Sequence, residues 1–275
     1  MMAPTLLVLV NAIFFSLVGS LLWIICITTD GWDMVTYRRS VLQNSLTAAN
    51  KSTQVFVLSH YGEEGRGYSE IKTTRYNSAG NLTSIEYKYA FDSYGGMWKT
   101  CDYLTASQRL VLRENRTSWH SKGECFHYLT EYQELMNSLK NEAKWLVRMQ
   151  NSAVSCIIVV NLLIACSVMT TIYGLWHKQV AVCMVTSAMY VIAAVFCMFG
   201  LSIIHAKNSY MMEPDCYSLV YHDPITKLIC PSKVVWQGWS IVIGWVAMSF
   251  FLLSFFFWSF LCRWMRQENS KHFAA

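Results

Sequence analysis

The residues best suited to chemistry here are the cysteines, the histidines and three Asn-x-Ser/Thr sequons. His120, Cys125 and His127 lie close enough in sequence to suggest a metal site. A zinc ion in a structural site needs four such ligands, no fourth is evident, and a disulfide would consume Cys125. No metal is therefore expected, and no other cofactor. None of the six cysteines Cys26, Cys156, Cys166, Cys183, Cys197 and Cys262 forms a CxxC pair, which argues against a thiol oxidoreductase. GxSxG, HExxH and phosphate-cradling glycine loops are all missing. The expectation is a protein that is not an enzyme.

The elements that must carry these residues follow from where charge is absent. Hydrophobic residues make up 54% of the chain and charged residues 14%, against about 25% charged in a soluble domain. No Asp, Glu, Lys or Arg occurs in residues 1–29, 154–177, 179–206 or 234–262. A spanning helix needs about 20 mostly apolar residues, because its backbone must satisfy itself in lipid. Four spans are predicted: 5–28, 153–175, 180–204 and 239–262. Without charge inside them, an ion-coupled pump or proton relay lacks its usual parts. The net charge of +5 is interleaved with acids and gives no nucleic-acid footprint. Residues 1–28 have no Lys or Arg ahead of a long apolar stretch and read as a retained span, not a signal peptide. Asn11 and Asn161 are expected to hydrogen-bond between the first two spans, and Ser16 and Ser20 to let helices approach closely. Trp23, Trp176, Trp239 and Trp264 are placed near membrane edges.

All three sequons, Asn50, Asn81 and Asn115, fall between the first two spans. That confinement predicts that this segment faces the secretory lumen and then the exterior. Arg263, Arg266 and Lys271 after the last span, and Lys178 in the short inner turn, agree with the positive-inside rule. The predicted organisation is a cytoplasmic N-terminus (1–4), a first outer segment (29–152), an inner turn (176–179), a second outer segment (205–238) and a cytoplasmic tail (263–275). Localisation is the plasma membrane, multi-pass, with both termini cytoplasmic.

The first outer segment is too long and patterned to be a linker. Alternation of Ile85, Tyr87, Tyr89 and Phe91 marks its clearest strand, 84–91. Further strands are expected at 32–39, 53–60, 68–76 and 97–104, and a short one at 216–221 in the second outer segment. Together they predict one small antiparallel sheet. A helix over 129–150 follows, opened by the Thr130–Gln133 capping box. Lys140, Lys144 and Arg148 line one stripe of it, as a solvated or lipid-phosphate-contacting face or as a docking strip for an acidic partner. Outside the spans, Cys101, Cys125, Cys216 and Cys230 allow three pairings. Pairing within each segment closes the shortest rings, and each bond could contribute about 3 kcal/mol. At the end of the last span, Cys262 is a candidate for palmitoylation.

One constellation is more specific. Trp32 follows the first span, and Gly96, Met97, Trp98, Cys101 and Cys125 precede the second. This resembles the W…GLW…C…C signature of the claudin superfamily, which also includes peripheral myelin proteins, calcium-channel gamma subunits and regulators of AMPA-type glutamate receptors. The resemblance covers the whole chain, and Arg148 matches the Arg near the end of the claudin extracellular helix. Met97 stands where Leu is usual. The spacing between Cys101 and Cys125 is longer than in claudins, and the Cys216/Cys230 pair is not part of the common pattern. The resemblance implies a membrane α+β fold: a four-transmembrane-helix bundle with a small extracellular antiparallel β-sheet drawn from both outer loops. It implies a Cys101–Cys125 disulfide and anchoring of the sheet at the bilayer surface by Trp32, Gly96 and Trp98. It further implies assembly with other membrane proteins: with itself at cell–cell junctions, or as an auxiliary subunit of a channel or receptor.

Overall fold

The computed structural model describes residues 3–38, 40–41, 53–61, 67–76, 82–114, 125–130, 144–177, 179–211 and 230–274. The chain divides into two compact units. The first combines Met1–Thr29, Met149–His205 and Trp239–Ala275, and the second Asp30–Arg148 with Ala206–Gly238.

Four long helices supply the first unit: α1 (Ala3–Thr28), α3 (Lys144–His177), α4 (Val180–Met211) and α5 (Trp239–Ala274). Each is long and apolar enough to cross a membrane. Their contacts define an up-down-up-down bundle. Ser16 meets Trp258 and Thr29 meets Ser240, so α1 and α5 are antiparallel. Thr170 meets Thr186 beside the tight α3–α4 turn, and Ser187 meets Ser259 between α4 and α5. On α1, Ala12, Ser16 and Ser20 are buried one turn apart, followed by Trp23 and Cys26. Gly19 completes this narrow face, where an added methyl carbon would sit 3.0 Å from Phe250 Cβ. Small residues on α1 thus receive the aromatic bulk of α5, including Phe251 and Trp258. The opposite face of α1 exposes Leu7, Val10, Phe14, Leu17, Leu21 and Ile24 at helical spacing. A contiguous apolar stripe of this kind is suited to lipid contact and unsuited to water.

Two sequence expectations are corrected in this unit. Asn161 does bond to α1, accepting from the Trp23 indole N–H at 2.9 Å, but Asn11 donates to the Leu7 carbonyl of its own helix. Trp23, five residues from the end of α1, is buried in the bundle, where its indole has Asn161 as its polar partner. Cys262 is buried too, its thiol 3.9 Å from the Val180 carbonyl, so it is not presented for acylation. The chemistry is otherwise quiet: serine and threonine hydroxyls mostly return to carbonyls one turn back, as Ser16 does to Ala12 and Ser20 to Ser16.

The second unit contains two antiparallel sheets where one was expected. Strands β2 (Thr53–Tyr61), β3 (Gly67–Tyr76) and β4 (Leu82–Phe91) form a meander of three. A second sheet has the order β7-β6-β5-β1-β8, built from β1 (Asp33–Tyr37), β5 (Ser93–Gly95), β6 (Lys99–Asp102), β7 (Cys125–His127) and β8 (Lys233–Gln237). The strand expected over 84–91 is β4, begun two residues earlier; after Asp92 the unanticipated β5 takes the chain into the other sheet. The strand expected at 97–104 shortens to 99–102, because Met97 and Trp98 lie in the β5–β6 turn, closed by Gly96 N–H donating to the Lys99 carbonyl at 2.7 Å. Helix α2 (Ala106–Glu114) was not anticipated. The expected strand at 216–221 and helix residues 131–143 lie outside the described residues.

Candidate functional site

The signature residues meet in the five-stranded sheet. Trp32 enters β1 with its N–H on the Gly95 carbonyl and its own carbonyl accepting from Gly238 N–H, both at 2.9 Å. It is therefore held between the end of β5 and the end of β8, and is only 2% exposed. Met97 is buried as well, and Trp98 is half-buried with its carbonyl accepting from Tyr128 N–H. Cys101 and Cys125 are directly opposed in the β6–β7 register and form a disulfide. That bond ties an edge strand to the sheet across the long segment between the two cysteines.

Period-two alternation sorts the sheet into two faces. Trp236, Met34, Tyr94, Cys101 and Cys125 form one row across five strands. Trp236 is 57% exposed at its end. Asp33, with Gly95 and Gln237 as its register partners, lies on the other face with Val35 and Val235. This face is built around charge. The Asp33 carboxylate, 7% exposed, pairs with Lys207 Nζ from the last turns of α4 at 3.2 Å. A methyl group on Gly95 would overlap that carboxylate, so the glycine is what makes room for it. Lys233 of β8 feels the same charges. Its pKa is drawn down to about 8, mainly by burial, with Asp33 opposing the shift and Lys207 adding to it. The Tyr128 phenol is pushed up, first by burial and then by Asp33. Tyr37 is pushed up to about 12 by burial and by Asp92. Buried ionised groups persist only when paired. Here the pair fastens β1 to the end of α4, and Lys233 of β8 lies within reach of the same field.

Peripheral contacts hold the frame. Asp102 receives a bidentate pair from Arg109 of α2 and accepts Leu104 N–H at 3.1 Å. Lys99 reaches Asp30 at 2.9 Å, and that hydrogen bond raises the lysine pKa. Gly238 admits no side chain, since a methyl there would overlap the Gly31 carbonyl. Helix α2 had a readable signal: Thr105 and Gln108 make a reciprocal capping box, with bonds of 3.0 and 3.3 Å. The Asp33–Lys207 pair had none, as no local pattern joins residues so far apart in sequence.

Of the other predicted site residues, Lys144 and Arg148 occupy the first turns of α3, Lys144 half-buried and Arg148 exposed. Lys140, Asn50, Asn81, Asn115, Cys216 and His120 lie outside the described residues, as does the Cys230 side chain, so the second predicted disulfide does too. Among the described residues no group of three His, Cys, Asp or Glu side chains is placed to hold a metal ion. No protein-family model matches the chain, and no curated protein matches it.

Proposed function

We propose that this chain is a non-enzymatic, claudin-like integral membrane protein that mediates protein–protein assembly at the cell surface or at cell–cell contacts. One observation carries the reading. Trp32, the Gly96-Met97-Trp98 turn and the Cys101–Cys125 disulfide, scattered over some ninety residues, converge on a single sheet completed by a strand from the second loop. The four apolar helices suit a bilayer, and the confinement of all three sequons to the segment between the first two spans supports an outward-facing segment with both termini in the cytoplasm. A disulfide, a buried ion pair and glycine-limited backbone crossings make the sheet stiff, which keeps the entropic cost of docking low. Partners are membrane lipid around the helices and other membrane proteins at the sheet.

The test is expression in non-adherent cells. Clustering with accumulation at cell contacts supports adhesion, whereas uniform surface staining in dispersed cells counts against it. One feature favours an alternative, an auxiliary subunit that modulates an ion channel or neurotransmitter receptor. The β2–β4 meander is inserted between β1 and β5 and enlarges the outer domain beyond the signature sheet. Such an extension suits contact with a large partner ectodomain. Co-purification of a channel or receptor subunit in mild detergent, with no effect on cell clustering, would select that reading.

A further inference from the structure

We infer that the groove between α3 and α4 holds one anionic phospholipid, with an acyl chain along the groove and the headgroup at the basic end of the bundle. The inference rests on the helices spanning a bilayer and is independent of the claudin-like reading. The groove has a volume of about 480 Å³ and is lined by Met169, Thr170, Tyr173, Ala181, Val182 and Val185. Its lining is nearly all apolar; the Thr170 hydroxyl is already engaged with Thr186 at 3.0 Å and with the Ser167 carbonyl. Gly174 lets α3 and α4 close at its foot, where an added methyl carbon would sit 3.0 Å from Val182 Cγ1. Apart from the Tyr173 phenol the lining offers hydrocarbon surface, which suits an acyl chain.

Charge complementarity supplies the headgroup. The groove begins within about 12 Å of the end of α3, taking 1.5 Å per residue from Met169 to His177. At that end, exposed His177 packs against Tyr173 with ring centroids 4.4 Å apart and the rings tilted by 42°. The Cys262 thiol lies 3.9 Å from the Val180 carbonyl, so the exposed Arg263 and Arg266 that follow it on α5 lie at the end of the bundle where α4 starts. Ala181 and Val182 of the first turn of α4 line the groove. Among the described residues from Cys262 to Glu268 the only acid is Glu268, which accepts from the Trp264 indole. A chain-sized apolar slot at the end of the bundle that carries two exposed arginines fits an anionic lipid better than a neutral one.

The experiment is native mass spectrometry of the full chain released from nanodiscs of equimolar phosphatidylserine and phosphatidylcholine. We expect one retained lipid per chain, enriched for phosphatidylserine by about thirtyfold, taking the surface attraction of two arginines. Arg263→Gln with Arg266→Gln should abolish the enrichment. Val185→Trp, which fills the groove from an exposed position, should abolish retention, while Leu162→Trp, exposed elsewhere on α3, should not. Equal retention of both lipids overturns the inference. So does enrichment that survives Val185→Trp, which would mean surface attraction without a site, or displacement of the lipid by added cholesterol. Retention and enrichment in the unaltered chain are read without any variant, so a misfolded variant cannot decide the outcome.

Discussion

The Asp33–Lys207 pair offers the sharpest perturbation. Asp33→Asn keeps the shape of the side chain but removes the charge that faces Lys207 Nζ at 3.2 Å. Lys207 is 2% exposed, so bulk water cannot take over the role of the carboxylate. Breaking a buried pair from one side costs about 3–5 kcal/mol, a large share of the roughly 5–15 kcal/mol that holds a domain folded. Lys207→Met should be milder, because the buried Asp33 retains Lys233 as a nearby positive charge. The double variant Asp33→Leu, Lys207→Met should recover much of the loss, since two apolar groups satisfy one another. At about 2–4 °C per kcal/mol, Asp33→Asn should lower the melting temperature of the detergent-solubilised protein by about 6–20 °C. A thermal melt by differential scanning fluorimetry reads all three variants. A drop below about 2 °C for Asp33→Asn, or a double variant as unstable as the two single effects summed, would refute the claim that this pair fastens β1 to the end of α4.

Further outcomes follow from the same unit. The Lys233 pKa is lowered from 10.5 to about 8, so between those values the unfolded chain binds more protons than the native one. Stability should therefore rise as pH goes from about 8 towards 10, and Lys233→Met should flatten that rise in melts taken across the range. Tyr37 and Tyr128 act oppositely, because their raised pKa values let the unfolded chain lose protons first, so stability should fall again above about pH 10. Cys101→Ser or Cys125→Ser should remove about 3 kcal/mol and leave the protein in the secretory pathway, read as glycosidase-H-sensitive glycans and loss of surface biotinylation. Gly95→Ala should push the Asp33 carboxylate out of its place and reproduce the Asp33→Asn shift, whereas Ser93→Ala on the same strand should stay within about 1 kcal/mol. Trp23→Phe should cost about 0.6–1.7 kcal/mol through loss of the Asn161 bond, visible as a small drop in melting temperature.

The helical unit was legible because lipid imposes one rule on every residue: a stretch without charge and of sufficient length must span. The expected starts at 5, 180 and 239 agree with the helices within two residues, while the helix expected over 129–150 and the span expected over 153–175 run together without a break in α3 from Lys144 onward. Five of the strands were expected in or near their places, the clearest being β4 from the alternation of Ile85, Tyr87 and Tyr89. Strands β5 and β7, of three residues each, are too short to show a period. Strand β8 was hidden because Lys233-Val-Val-Trp-Gln237 reads as the lead-in to the last span, and only its pairing with β1 makes it a strand. The disulfide followed from family resemblance, since spacing alone left three pairings open. The charged core of the site was invisible for a different reason. Asp33 and Lys207 each read as ordinary loop or helix-end charges, and only tertiary contact reveals that they are buried together.

The most direct test of the account is the side of the membrane on which the first outer segment lies. An epitope inserted after Ser121, between the two disulfide cysteines, can be stained in intact and in permeabilised cells. The account predicts staining of intact cells, equal to that after permeabilisation once internal pools are subtracted. Staining only after permeabilisation would place the disulfide-bonded sheet in the cytosol and contradict the proposed membrane topology and, with it, assembly at the cell surface.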